Sequence, residues 1–419
     1  MNFTFIHAAD LHIDSPFGAL GRKNAGAAAL FAQASRRAVE ALVAETLASK
    51  AAFLIIAGDV FDGDWADMSS GLFFVRELAK LERADVPVFM LRGNHDAEGR
   101  VTKSLTWPAN VREFSTRKAQ SLALEELRTV LHGRGFADRR VDDDFVAAYP
   151  ARREGWLNIG VLHTALDGTR GHASYAPCTE ADLRRFGYDY WALGHIHAAE
   201  IVSRDPWIVF PGNIQGRSVR ETGAKGAMRV TVADGRIIKV DPIVLDAARW
   251  AHETIDVSAC DSAARVLDEI HARLAAVHES ASGKPIAARI TLTGTSPVHA
   301  ALIAGHEQLV AEAQAIASRV AEDCWLEKLR VETSHAGPSR VVEDLEIKSF
   351  DIEGLLREAD DPQFAQAIIS LAGDIRAKLP RELQDDGETA LPASAVDAEA
   401  IGARAQSYIL GLLAQGPRE

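Results

Sequence analysis

Five short motifs hold the residue types that do chemistry: Asp10-Leu11-His12, Gly58-Asp59-Val60-Phe61-Asp62, Gly93-Asn94-His95-Asp96, His163-Thr164 and Gly194-His195-Ile196-His197. Carboxylates, imidazoles and an Asn carbonyl form a mixed oxygen and nitrogen donor set, suited to Mn, Fe or Zn rather than to Ca or Mg alone. Asp10 and His12 stand two apart, so in an extended segment both point the same way, and His195 and His197 repeat that spacing. The seven donors Asp10, His12, Asp59, Asn94, His163, His195 and His197 are too many for one tetrahedral zinc. They suit two ions that share a carboxylate and sit ~3.5–4 Å apart. A D-x-H triplet alone carries little information. G-N-H-D and G-H-x-H are far rarer, and the ordered set points to metal-assisted hydrolysis.

Each motif begins at or just after the end of an apolar run that reads as a strand: Phe3 to Ala8, Phe53 to Ala57, Val86 to Leu91, Leu157 to Leu162 and Tyr188 to Leu193, with a further run at Trp207 to Phe210. Continuous apolar runs of this length fit strands buried on both faces, and open α/β sheets build their sites beyond the carboxyl ends of such strands. Ala27 to Ser49 and Ser69 to Arg83 have apolar residues at helical spacing. Met228 to Val232 and Arg236 to Val240 flank Ala233-Asp234-Gly235, a hairpin signal. An α/β domain over residues 1–248 is expected. Beyond it, His252 to Val257, Ala263 to Val277, Ile286 to Thr293, Val298 to Val320 (interrupted by Gly305) and Cys324 to Glu332 predict a small β-α-β-α-β domain over 249–337. Ala336-Gly337-Pro338-Ser339 reads as a linker, and 338–419 as an acidic helical tail with helices at Asp361 to Leu379 and Val396 to Gln415.

Charge divides the chain at the same place. Residues 1–250 hold 31 Lys+Arg against 31 Asp+Glu, whereas 251–419 hold 15 against 28, so the whole net charge of −13 lies in the last two-fifths. A polyanion would meet the N-terminal part first. Apolar residues at 47% and charged residues at 25% fit a folded globular protein and exclude disordered, collagen-like or membrane composition. The N-terminal segment lacks the basic region and cleavage site of a secretory signal, and a cytoplasmic location is expected. Cys178, Cys260 and Cys324 are too widely spaced for a cysteine zinc site or a disulfide framework. Asp14, Asp64, Asp67 and Asp96 are better read as capping, turn or supporting residues than as ligands.

The five motifs resemble those of the calcineurin-like metallophosphoesterases. The forms Gly93-Asn94-His95-Asp96, Val161-Leu162-His163-Thr164 and Tyr190-Trp191-Ala192-Leu193-Gly194-His195-Ile196-His197 are closest to the DNA-repair exonuclease branch, the SbcD-like nucleases. Pro211-Gly212-Asn213-Ile214-Gln215-Gly216-Arg217 with Arg220-Glu221-Thr222-Gly223 resembles its YhaO-type subgroup. The resemblance implies an α/β sandwich of two β-sheets flanked by helices, with a small α+β capping domain and a C-terminal helical tail. It implies that Asp10, His12, Asp59 and His197 hold one divalent ion and that Asp59, Asn94, His163 and His195 hold the other. Mn2+ is the expected metal, with Fe2+ and Zn2+ as alternatives. A hydroxide between the two ions would attack phosphorus, His95 would serve the leaving oxygen, and Asp62 would orient His95.

DNA is the substrate that the resemblance implies, in exonuclease or endonuclease cleavage. A small or non-nucleic phosphodiester is the alternative, because one metal pocket serves many substrates. Arg217 and Arg220, with Lys225 in the same glycine-bearing loop, are candidates for substrate phosphates; a loop that merely closes the sheet is the plainer alternative. Arginine pairs such as Arg36-Arg37, Arg139-Arg140 and Arg152-Arg153 offer further local positive charge. SbcD-like nucleases act with a coiled-coil ATPase, which makes a clamp subunit another alternative and 338–419 a candidate partner-binding region. The chain has no G-x-x-x-x-G-K-[ST] loop, so ATP hydrolysis would come from the partner. The resemblance also implies a homodimer, and no membrane association is expected because no charge-free apolar run reaches the ~18 residues a span needs.

Overall fold

Runs of four to seven β-branched, aromatic and small apolar residues set the strands, being too short for buried helices and apolar on both faces. The computed structural model describes residues 1–15, 25–62, 68–98, 105–138, 146–166, 176–335 and 362–378, with 394, 397, 401, 402 and 405. In chain order the first strands are β1 (Phe3–Ala8), β2 (Leu54–Ala57), β3 (Val88–Leu91) and β4 (Val111–Glu113). β5 (Gln120–Leu124), β6 (Thr129–Gly133), β7 (Leu157–His163), β8 (Tyr190–Gly194), β9 (Glu200–Arg204) and β10 (Trp207–Phe210) follow. β11 (Gly226–Ala233) and β12 (Arg236–Val244) then form the expected hairpin, with Asp234 and Gly235 both at positive φ in its turn.

Two six-stranded sheets result, ordered β12-β11-β1-β2-β3-β4 and β5-β6-β7-β8-β10-β9. The expected sandwich of two sheets flanked by helices is therefore observed. β1 to β4 run parallel, and so do β6, β7, β8 and β10. Register aligns their carboxyl ends: Ala8 pairs with Ile56, Ile56 with Met90, and His163 with Gly194. All five motifs therefore leave the sheets on one side. β4, β5, β6 and β9 were not anticipated from sequence.

Alternation within each strand divides the core into layers. Phe5, Ile55, Phe89, Ile159, Val161, Tyr190 and Val209 fill the space between the sheets. Their neighbours Ile6, Ile56, Val88 and Met90 face helices α1 (Ala25–Ala48) and α2 (Met68–Glu82), which contribute Val39, Leu42, Phe74 and Leu78. On the other side Leu162, Trp191, Leu193 and Ile208 pack with Leu183 of the short helix Glu180–Arg185. This core holds the strand ends rigid, and the loops that leave them inherit the rigidity.

The chain forms two compact units. The first comprises 1–252 with 277–288 and 323–327; the second comprises 253–276, 289–322 and 328 onward. The later elements are β13 (Arg249–Asp256), a helix Ala263–Ser280, β14 (Ile286–Ser296), helices His299–Ala304 and His306–Val320 separated at Gly305, and β15 (Cys324–His335). The three strands form one sheet in the order β13-β14-β15. In the tail, the helix Pro362–Arg376 is described. The linker at 336–339, Arg139-Arg140, Asp64, Asp67 and most of the Val396 to Gln415 helix lie outside the described residues. Among the described residues no helix is long and apolar enough to cross a membrane.

Candidate metal centre

The loops after β1, β2 and β8 are tight turns. Asp10, His12, Asp59 and His195 all have positive φ, at 53°, 41°, 53° and 97°. Asp10 and His12 were expected to share an extended segment; instead the chain turns through the left-handed region, where Asp and His are tolerated better than bulky residues. The reason is mutual hydrogen bonding of two loops. The N–H groups of Asp10, His12 and Ile13 donate to the carbonyls of Gly58, Asp59 and Val60 at 3.0, 3.1 and 2.9 Å. Ligand residues of two strands are thereby locked side by side.

A third loop is fastened by Asp96. Its buried carboxylate accepts the N–H groups of Val60, Phe61 and Gly93, each at 3.1 Å at its nearest, tying the loop after β2 to the loop after β3. Burial, with the nearby charge of Asp59, raises the Asp96 pKa to about 7, while the three amides act in the opposite direction. Gly93 is required by space: a Cβ there would stand 2.1 Å from Asp59 Oδ1.

Two groups of donors converge beyond these loops. Asp10, His12 and His197 form one, and Asp59, His163 and His195 form the other, each with ligand atoms within 4.8 Å of one another. In the first, His12 Nε2 lies 3.2 Å from His197 Nε2 and 3.9 Å from Asp59 Oδ2, and His197 Nε2 lies 3.9 Å from Asp10 Oδ1. Two nitrogens at that separation are spaced like neighbouring ligands on one ion with bonds of ~2.0–2.1 Å. In the second, His163 Nε2 lies 2.9 Å from Asn94 Oδ1 and 3.3 Å from Asp59 Oδ2. Asp59 thus faces both groups. All seven sequence-predicted donors are brought together.

Hydrogen bonds on the far sides of the rings decide which nitrogen faces inward. His163 Nδ1 donates to the Ala57 carbonyl at 2.9 Å, which leaves Nε2 to the cluster. His197 Nδ1 donates to Glu221 Oε1 at 2.8 Å, with the same result. Asp10 accepts the His195 N–H at 3.0 Å. Burial opposes charge on His163, yet Asp59 and Asp10 outweigh it and raise its pKa to about 9. For Asp59 burial again opposes charge, but His163, His12 and His95 hold it well below the usual carboxylate range. Buried carboxylates at one point call for positive charge; divalent ions fit this donor set and would displace the proton that the raised pKa places on His163.

At the rim, His95 Nδ1 lies 2.9 Å from Asp62 Oδ1. Burial works against the charged imidazole, but the hydrogen bond to Asp62 and the charges of Asp59 and Asp62 prevail and raise its pKa. Ser15 Oγ donates to Asp62 Oδ2 at 2.5 Å, and Arg217 Nη1 approaches the same oxygen at 3.5 Å. Arg217 therefore belongs to the centre. Arg220 does not: it is exposed, and its N–H bonds to Ser218 Oγ within its own loop. Glu221 and Asn213 were missed from sequence as parts of the site; Lys225, a candidate for substrate phosphates, is brought to it. Lys225 Nζ donates to the His197 carbonyl at 3.0 Å and Asn213 Nδ2 to Glu221 Oε2 at 2.8 Å. The only signal for Glu221 and Asn213 was a run of polar residues at close spacing in a glycine-bearing loop.

Asp96→Ala should leave three buried amides unsatisfied, at about 1–3 kcal/mol for each that water cannot reach. Urea unfolding of the metal-free protein is expected to show a loss of at least ~2 kcal/mol, together with weakened Mn2+ binding in equilibrium dialysis. A variant of wild-type stability and affinity would contradict the clamp.

Residues 3–199 match the family model of the calcineurin-like phosphoesterases, and residues 250–334 match that of the middle domain of metallophosphoesterase YhaO. Over 300 residues the chain is 31% identical to the uncharacterized metallophosphoesterase YhaO of Bacillus subtilis (strain 168), covering 71% of this chain and 73% of that protein. Among solved structures, a dimetal phosphatase from Danio rerio is similar with a TM-score of 0.34 and 12% identity, over 58% of this chain and 99% of that one. By its sequence match to YhaO and its family motifs, the chain belongs to the calcineurin-like metallophosphoesterases and is homologous to the YhaO-type proteins among them.

Proposed function

We propose that the chain is a two-metal phosphodiesterase that cleaves DNA, as an exonuclease or endonuclease of DNA repair. One observation carries the phosphodiester chemistry: His95, backed by Asp62 at 2.9 Å, stands partly exposed beside the two donor groups. Asp10, His12, Asp59 and His197 would hold one ion, and Asp59, Asn94, His163 and His195 the other, with Mn2+ the expected metal and Fe2+ or Zn2+ the alternatives that the same donor set suits. When bound, the ions supply positive charge to the phosphate oxygens and lower the pKa of an attacking water.

The side chains account for the rest of the reaction. Asp62 accepts the His95 Nδ1–H and fixes the ring, so Nε2 is the nitrogen left for substrate. As the bond from phosphorus to the leaving oxygen breaks, His95 donates the Nε2 proton to that oxygen, a contribution usually worth ~100- to 10,000-fold. Asp10 and Asp59 are buried and would meet the ions rather than the substrate; burial raises the Asp10 pKa to about 6, whereas at Asp59 burial is outweighed by His163, His12 and His95, which hold it well below the usual carboxylate range.

A DNA substrate draws support from the motif forms shared with the repair exonucleases and from Arg220, which is exposed on the loop that also carries Arg217. Residues 249–337 act as a capping domain in this scheme. The acidic region 338–419 is the contact for a coiled-coil ATPase, and the protein works in the cytoplasm as a homodimer.

Purified protein should degrade end-labelled single- or double-stranded DNA in the presence of Mn2+. His95→Ala should lower turnover ~100- to 10,000-fold while metal analysis still finds two ions; loss of both ions would refute the role given to His95. Hydrolysis of a generic phosphodiester reporter without cleavage of DNA would move the substrate to a small phosphoester. Arg220→Ala should reduce the slope of log affinity for DNA against log salt by about one. An unchanged slope would remove Arg220 from the DNA contacts.

A further inference from the structure

We infer that Glu221 is a positioning residue for the metal centre: it sets His197 with Nε2 facing inward and, through Arg217, joins that histidine to the Asp62–His95 pair. The inference rests on the two-metal function proposed above. Glu221 lies 24 positions beyond His197 in sequence, yet its Oε1 stands 2.8 Å from His197 Nδ1. Imidazole has two nitrogens, and a ligand must present a lone pair on one of them. Arg217 Nη2 also stands 3.3 Å from His197 Nδ1, but the Glu221 carboxylate at 2.8 Å is nearer and can only accept, so it holds the proton on Nδ1 and leaves the lone pair on Nε2, the atom 3.2 Å from His12 Nε2.

Glu221 is itself held on every side. Oε2 accepts the Arg217 N–H and Asn213 Nδ2, both at 2.8 Å, and Oε1 also receives Arg217 Nη2 at 3.3 Å. The same guanidinium reaches Asp62 Oδ2 at 3.5 Å, and Asp62 holds His95. A continuous series of charge-assisted contacts thus runs His197–Glu221–Arg217–Asp62–His95, from a ligand of one ion to the proton donor. Lys225 Nζ on the His197 carbonyl fixes the backbone of the same ligand. A carboxylate placed this way on a ligating histidine typically strengthens metal binding 10- to 100-fold.

Stepwise Mn2+ binding to the full chain, followed by equilibrium dialysis, separates positioning from general stability. Wild type should bind two ions. In Glu221→Ala one dissociation constant should rise about 10- to 100-fold and the other change little, with Glu221→Gln intermediate because it keeps an oxygen at the same place. Native circular dichroism and an unchanged pair of constants in Glu221→Ala would overturn the inference. Should that variant fail to fold, Glu221→Gln decides: one weakened constant supports the role and two unchanged constants refute it. Failure of wild type to bind two ions would instead refute the two-metal function itself.

Discussion

Asp59 is the carboxylate on which both halves of the centre close. Its Oδ2 faces His163 Nε2 at 3.3 Å and His12 Nε2 at 3.9 Å, while Oδ1 accepts the His95 N–H at 3.0 Å. A buried charge is tolerated only when it is paired and hydrogen-bonded, so the position of this one side chain constrains everything around it. Gly93 must lack a Cβ to leave it room, and Asp59 itself must adopt a left-handed conformation. Strained backbone of this kind costs about 1–3 kcal/mol at each residue and persists only where the surroundings enforce it. Here the enforcing structure is the sandwich, whose parallel strands end in register and deliver three loops to one point.

The parts legible in sequence were those in which chemistry and hydrophobic pattern coincide. β1, β2, β3, β7 and β8 are mostly apolar because both faces are buried over most of their length, and each ends at a motif. That coincidence exposed the seven donors and an α/β domain without any knowledge of distance, while the sandwich of two sheets came from the resemblance of the motifs. β6 hid because His132 and Gly133 interrupt it; His132 is satisfied by Ser121 and Asn158 rather than by an apolar neighbour. β5 and β9 lie at the edges of their sheet and are mostly half-buried, which removes the apolar signal.

Glu221 was illegible for a different reason. Nothing local in Arg220-Glu221-Thr222-Gly223 marks a carboxylate that must fold back onto His197; only the path of the loop through Asn213, Gln215 and Arg217 shows it. Gln215 anchors that loop by pairing with the backbone of Ala247 and Ala248. The left-handed turn at Asp10 and His12 escaped notice similarly. Spacing of two suggests a strand, whereas the observed geometry comes from hydrogen bonds to a loop some fifty residues away in sequence.

The central claim is that two ions share Asp59. The most direct measurement is the anomalous scattering of crystals of the full chain grown with Mn2+. Two peaks ~3.5–4 Å apart on either side of Asp59, one against His12 and His197 and the other against His163 and His195, are the predicted result. A single peak, or two peaks that do not have Asp59 in common, would contradict it.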